Sequence, residues 1–178
     1  MTVAQKLFSF SGRLRRRDWW LFGALVTLLE WLAVNVATSG GGGVADWQLW
    51  EKVGTDPAAR HMLSQDLRFQ GVVALIFLWP SLALSVKRLH DRGRSGWWLA
   101  APYAFLAAQV LIFSLRFSAL GGAIGLNLAP AVDTALDIGF VFSAIGLFIE
   151  MGVLDGFHGD NRYGPSPKTP ELSAVPQT

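Results

Sequence analysis

The sequence predicts an all-α polytopic membrane protein, a compact bundle of four transmembrane helices with both termini in the cytoplasm. The chain of 178 residues is 52% hydrophobic and only 16% charged, whereas about 25% of the residues in an average soluble domain are charged. Four segments are long and apolar enough to cross a bilayer, and most Lys and Arg residues fall on one side of them. This composition argues against an ordinary soluble enzyme.

The four apolar segments cover residues 19–38, 69–86, 97–115 and 138–154, and a spanning helix needs roughly 20 such residues. The second and third contain no charged residue, and Glu30 is the one charge in the first. The stretch 117–132 is also apolar but rich in glycine. For this stretch a fifth span, a re-entrant segment and an interfacial helix all remain open.

The positions of the basic residues predict the orientation. Of the 15 Lys and Arg residues, five precede the first segment, four lie between the second and third, and two follow the fourth. The side of a membrane protein that is richer in Lys and Arg is cytoplasmic. Both termini should therefore be cytoplasmic, which requires an even number of spans.

The predicted organisation has three parts. Residues 1–18 form a basic cytoplasmic segment, residues 19–164 form one four-span domain with an external loop at about 39–68, and residues 165–178 form a disordered tail. In the loop, Asp56 followed by Pro57 is typical of a helix start, with Asp56 as the N-cap. We expect a helix from Pro57 that continues into the second span. Cysteine is absent, which excludes disulfides and thiolate chemistry.

Polar residues concentrate in three boxes on the predicted cytoplasmic side: box one (residues 8–20), box two (87–98) and box three (155–165). In box two, Gly93 and Gly96 permit a sharp turn, and Ser95 can cap the third span. Arginines beside a helix N-terminus favour an anion, and lipid phosphate is the nearest abundant anion. A structural turn held by ion pairs is the competing interpretation. The predicted anion- or partner-binding residues are Arg13, Arg88, His90, Asp91, Arg92, Arg94, Ser95 and Arg162.

Other residues suggest weaker hypotheses. The dipeptide His90-Asp91 invites a metal or general-base interpretation, and His158 and Asp160 would join it if the second and fourth spans were neighbours. Two adjacent ligands are too few for a metal site, so we assign no metal, cofactor or catalytic residue. Asp18 is placed to cap the first span. An acid at mid-depth such as Glu30 is costly and is a functional candidate by default.

At these boxes the chain resembles the bacterial inner-membrane family catalogued as domain of unknown function 805. The family's opening pattern, an aromatic-x-aromatic-x-Gly-Arg start with following basic residues and an aromatic pair, matches box one. Its central Arg-Leu-His-Asp-x-Gly-x-Ser-Gly-Trp-Trp is present in full at residues 88–98, and its closing Asn-Arg-Tyr-Gly-Pro is present at 161–165. The resemblance implies a small multi-pass protein of the bacterial cytoplasmic membrane and supplies no settled activity.

The leading functional hypothesis is a non-enzymatic module whose boxes bind anionic lipid heads or a partner protein. One alternative is a small proton-coupled transporter or assembly subunit that uses Glu30. Another is a membrane-embedded lipid-modifying enzyme that uses His90 and Asp91. The expected partners are anionic membrane lipids and a membrane protein or a second copy of the chain, and not nucleic acid, because the basic boxes are short and tied to spans.

Overall fold

The computed structural model describes residues 1–38, 47–52, 55–117 and 130–167, and every regular element in them is helical. The elements are the helices α1 (Val3–Phe8), α2 (Arg16–Thr38), α3 (Trp47–Lys52), α4 (Pro57–Asp91), α5 (Ala100–Phe117) and α6 (Pro130–Phe148). A 3₁₀ turn at Gly96–Leu99 precedes α5, and a π-helical turn at Ile149–Val153 follows α6. The predicted all-helical class is confirmed.

Within the described residues, three helices are long and apolar enough to cross a membrane: Arg16–Val36, Pro57–Asp91 and Ala131–Val153. The apolar helix Gly96–Ile112 is shorter. A membrane protein with three to four spanning helices follows, while the count of four and the side of each terminus stay predictions. Residues 39–46 and 53–54 of the predicted external loop, most of the stretch 117–132 and the tail beyond residue 167 lie outside the described residues.

Helix α4 begins where the sequence predicts. The Asp56 carboxylate accepts a hydrogen bond of 2.8 Å from the backbone N–H of Ala58, which satisfies one of the free donors of the first turn. The helix then continues for 35 residues and contains Pro80. At about 1.5 Å per residue it is longer than the bilayer core is thick.

Three helix starts differ in part from the predictions, although Ser95 is a cap as predicted. The helix of the fourth segment begins at Pro130, eight positions before 138, because proline suits the first helical turn. The third segment opens with a 3₁₀ turn, and Ser95 caps that turn by accepting from the Trp97 N–H. Asp18 does not occupy the N-cap position of α2. The helix begins at Arg16 and Asp18 lies in its first turn, where its charge still suits the helix dipole.

The chain divides into two compact units. The first unit comprises Met1–Phe10 and Trp20–Leu84. Its short helix α1 begins with a capping box, in which the Thr2 side chain accepts from the Gln5 N–H and the Gln5 side chain accepts from the Thr2 N–H. Phe10 and Trp79 meet edge to face with their ring centroids 5.0 Å apart, and the Trp79 indole donates to the Phe8 carbonyl.

The second unit comprises Ser11–Trp19 and Ser85–Thr178, and it contains most of the three boxes. Helices α5 and α6 pack closely in it because Gly139 has no side chain, and a Cβ there would lie 2.5 Å from the Phe105 ring. The Gln109 amide also donates to the Asp137 carboxylate at 2.8 Å.

Candidate functional site

A charge cluster of Arg13, Asp91 and Arg88 lies at the centre of the boxes. Arg13 comes from box one, and Asp91 and Arg88 come from the last turns of α4. The Arg13 Nε lies 3.2 Å from Asp91 Oδ1, and the Arg88 Nη1 lies 2.5 Å from Asp91 Oδ2. The side chains of Arg88 and Asp91 have no exposed surface and that of Arg13 has 1%. The single carboxylate therefore compensates two buried guanidinium groups.

Backbone carbonyls of box three satisfy the remaining Arg13 donors. Its Nη1 donates to Gly159 at 2.6 Å and to Gly164 at 3.2 Å, and its Nη2 donates to Phe157. The Phe157 N–H in turn donates to the Asp91 carbonyl at 2.8 Å. Arg13 thus joins all three boxes through one side chain, which a planar group with five donors is well suited to do.

Arg88 binds the end of the last helix. Its Nε donates to the Met151 carbonyl at 2.7 Å and its Nη2 to the Leu154 carbonyl at 2.5 Å. Arg16 donates to the Val153 carbonyl at 2.7 Å. The last carbonyls of a helix have no partner within it, so these arginines cap the π-helical turn, which the sequence does not predict.

Gly156 brings box three against the cluster. A Cβ on this residue would lie 1.8 Å from Asp91 Oδ2, so no larger residue fits without displacing the carboxylate. The turns on either side of the cluster also need glycine, since Gly12, Gly93 and Gly164 have φ of 94°, 73° and 123°. No buried side-chain nitrogen or oxygen in the described parts of the chain lacks a hydrogen-bond partner.

His90 lies beside this cluster in a separate set of contacts. Its ring stacks on Tyr163 with the centroids 3.7 Å apart, and its Nδ1 lies 3.3 Å from the Gly12 carbonyl. Because a carbonyl only accepts, Nδ1 carries the proton. Burial lowers the pKa of His90, the Gly12 carbonyl opposes that shift, and the nearby Arg162 lowers the pKa further, so the ring is neutral at pH 7.

Burial also acts on the basic residues at the end of α4, just beyond the predicted span 69–86. Lys87 is wholly buried, and burial lowers its pKa to about 8. Burial lowers the pKa of Arg88 as well, against the opposing effect of Asp91. Both shifts arise because a low-dielectric environment disfavours the charged form.

The remaining predicted residues lie at the edge of the cluster. Arg92 and Arg94 pair with Glu150, at 3.1 and 3.6 Å, and the Arg94 side chain is 47% exposed. Arg94 also lies over the Trp98 ring, and Arg162 lies over the Tyr163 ring. Ser95 serves as the cap described above.

The structure thus brings Arg13, Arg88 and Asp91 together in contacts within the protein, and their side chains present at most 1% of their surface to a ligand. The anion- or partner-binding role of the eight predicted residues stays a prediction. Exposed arginines of the same unit are candidates for it, among them Arg94 and Arg162 together with Arg15 and Arg17.

The hypothesis of a cluster of His158 and Asp160 with His90 and Asp91 finds no support in these contacts. His158 lies 3.8 Å from Asp155, and Asp160 accepts from the Ser166 N–H. Among the described residues no group of three or more His, Cys, Asp and Glu is placed to hold a metal ion. Glu30 belongs to the first unit, on α2, where it is half-buried.

Sequence reasoning did not identify several residues of the site. Glu150, which pairs with Arg92 and Arg94, lies near the end of the fourth apolar segment, and no local pattern marks it as part of the site. Gly156 lies in a turn that contains several glycines, and nothing in the sequence distinguishes it from the others. Asn161, whose side chain donates to the His90 carbonyl at 2.9 Å, and Tyr163 appear in the closing motif of box three, which was the available signal.

Comparisons with known proteins agree with the resemblance seen at the boxes. The family described as "Protein of unknown function (DUF805)" matches residues 7–165. The Escherichia coli K12 "Uncharacterized protein YiiR" is 30% identical over 92% of this chain and 89% of its own length. The "Inner membrane protein YhaH" of the same strain is 25% identical over 94% of each chain. No solved structure matches significantly.

Proposed function

The chain belongs to the DUF805 family and, like its relative YhaH, is an inner-membrane protein; we propose that it is a non-enzymatic module that binds anionic lipid headgroups. The exposed arginines around the charge cluster provide the binding surface. The buried arginines hold that surface in shape and do not touch the lipid.

The proposal includes the topology that the basic residues predict. Four helices span the membrane, both termini are cytoplasmic, and the three boxes lie at the cytoplasmic surface. The distribution of Lys and Arg supports this arrangement. The inner leaflet facing the boxes is anionic, and it attracts each nearby Lys or Arg by about 1 kcal/mol.

One observation carries the proposal: the arginines of the boxes fall into two groups. Arg13 and Arg88 are buried in pairs with Asp91, whereas Arg94 and Arg162 are exposed on the same unit. Arg94 is held over Trp98 and Arg162 over Tyr163. Fixed arginines lose less side-chain entropy on binding phosphate than mobile ones.

The geometry supports the alternatives less well. A general base needs access to a substrate, but the Asp91 side chain has no exposed surface, and the His90 Nδ1 is engaged by Gly12. A transporter based on Glu30 would need a second polar group along the proton path, and the Glu30 side chain makes no hydrogen bond or ion pair with the described residues. A protein partner would use the same exposed arginines and is an outcome of the test below.

The test compares lipid retention by native mass spectrometry, with protein purified in mixed micelles of phosphatidylglycerol and phosphatidylcholine. The double variant Arg94→Gln with Arg162→Gln should retain about thirtyfold less phosphatidylglycerol, since each arginine contributes about 1 kcal/mol and every 1.4 kcal/mol is a factor of about ten. The charge-matched control is Lys52→Gln with Arg68→Gln, two exposed residues of the predicted external loop, and it should behave as wild type.

If the two double variants retain the same amount of phosphatidylglycerol, the proposal is overturned. Arg94 and Arg162 would then contribute only to the membrane orientation of the chain. Loss of a co-purifying protein from the Arg94/Arg162 variant, with unchanged lipid retention, would instead favour a protein partner.

A further inference from the structure

The second unit contains an apolar cavity of about 400 Å³ next to the boxes. It is lined mainly by residues of α5 and α6, and Ser85 of α4 also contributes. Its walls include Ser85, Pro102, Leu106, Phe140, Ala144 and Met151. This volume falls within the range of about 300–1,000 Å³ that is typical of ligand sites.

The cavity lies in the half of the α5–α6 pair nearest the boxes. On one side its lining runs from Leu99, just before α5, to Leu106, and on the other from Phe140 on α6 to Met151 in the π-helical turn, which is about 10 and 16 Å at helical rise. The lining therefore follows both helices for about two to three turns. A cavity of this shape and volume suits one hydrocarbon chain better than a compact polar ligand.

The cavity and the charged groups meet at shared residues. Met151 lines the cavity, and its carbonyl accepts from Arg88. The next residue back, Glu150, pairs with Arg92 and Arg94. Leu99 lines the cavity directly after Trp98, over which Arg94 lies. A chain in the cavity would thus leave its headgroup beside the half-exposed Arg94.

We propose that this cavity holds one acyl chain of an anionic phospholipid whose phosphate binds at Arg94. The inference rests on the proposed function and sharpens it, because it replaces attraction to a charged surface with one lipid bound at one place. The positive charge of Arg94 favours an anionic lipid over a neutral one, and the apolar walls favour a hydrocarbon chain.

The experiment fills the cavity and measures lipid retention as before. Ala144→Phe places a ring into the cavity, and Ala135→Phe makes the same change on an exposed face of the same helix, outside the cavity walls. Ala144→Phe should retain about tenfold less phosphatidylglycerol than wild type, because loss of roughly two buried methylene groups is sufficient for that factor. Ala135→Phe should match wild type.

If Ala144→Phe does not fold, a second variant and a lipid-competition experiment still test the inference. Leu106→Trp fills the cavity from α5 and should have the same effect. On the unaltered protein, lysophosphatidylglycerol, which has one chain, should displace the retained lipid. Glycerol phosphate, which has the head and no chain, should not.

The outcomes separate the two proposals. If wild type does not prefer phosphatidylglycerol to phosphatidylcholine, both proposals fail. If that preference persists while Ala144→Phe and Ala135→Phe behave alike, the lipid binds elsewhere and the cavity inference alone is overturned. The cavity inference would also be overturned if Ala144→Phe caused the loss of a second, co-purifying protein chain while lipid retention stayed the same.

Discussion

The two compact units are stabilised by different kinds of contact. In the first unit, α2 presents apolar side chains outward, with Leu21 61% and Trp31 58% exposed. Among residues 16–36 of this helix, whose burial the structure describes, Val26 is the one buried residue. In the second unit, the side chains of Arg13, Arg88 and Asp91 lie in the interior. The two arginines share the Asp91 carboxylate and donate to backbone carbonyls between residues 151 and 164. An apolar helix surface that faces lipid needs no tertiary contact to be stable. The buried charged side chains, in contrast, are stable only when their ion-pair and hydrogen-bond partners lie in one particular arrangement.

This difference follows from the solvent. Lipid tails are as apolar as leucine, so the hydrophobic effect does not drive helices together inside the bilayer. Hydrogen bonds and ion pairs can specify the arrangement instead, and they are concentrated in the boxes at the ends of α4 and α6. The second unit is therefore held together by specific polar contacts. Substitutions of these residues should lower the free energy of unfolding more than substitutions in the first unit.

The largest effect is expected for Asp91→Asn. Both Arg13 and Arg88 would lose the charge that compensates them, and breaking a buried ion pair costs about 3–5 kcal/mol. The free energy of unfolding, measured by denaturant titration in micelles, should fall by that amount. The control is Glu150→Gln, whose partners are partly exposed and whose loss should cost about 1 kcal/mol or less. Similar losses for both variants would show that the buried cluster has no special role.

An intermediate effect is expected for Gly156→Ala. The added methyl group would overlap Asp91 Oδ2, and overpacking of this kind costs about 1–3 kcal/mol. Gly146→Ala provides a control of opposite sign, because nothing lies within 4 Å of its Cβ position and alanine is favoured over glycine in a helix by about 1 kcal/mol. Thermal unfolding in micelles should separate the two, and a Gly156→Ala protein as stable as wild type would contradict the close approach.

The smallest effect is expected in the first unit, for Trp79→Phe. The variant keeps an aromatic ring against Phe10 and loses the indole hydrogen bond to the Phe8 carbonyl. A neutral hydrogen bond contributes about 1 kcal/mol, so the melting temperature should shift little. A loss as large as that of Asp91→Asn would mean that the first unit also depends on a specific polar contact, and the contrast between the units would fail.

The sequence predicts where the helices lie better than it predicts where they begin and end. The start of α4 follows from Asp56 and Pro57, since capping is a local property of adjacent residues. The end of the last helix does not follow in this way. Its π-helical turn is capped by Arg88, which lies 63 positions away from Met151 in the chain, and no local pattern contains that information.

The same limit applies to the site. Box two attracts attention in the sequence because its charges, glycines and aromatics are unusually dense. The interpretation of a structural turn with ion pairs and that of an anion site both fit this density. Three-dimensional contacts assign the first role to Arg88 and Asp91 and leave Arg94 exposed for the second, a division that spacing alone does not indicate.

The sequence by itself determined that the protein is helical and membrane-bound, because a long apolar segment in lipid must satisfy its own backbone groups. It also determined which residues are unusual, through the three boxes that identify the family. Only the tertiary structure decided which arginines are buried, because Arg13 and Asp91 meet across 78 positions of the chain. A buried charge is tolerated only where an opposite charge and hydrogen-bond acceptors arrive from elsewhere, so burial here depends on the complete fold.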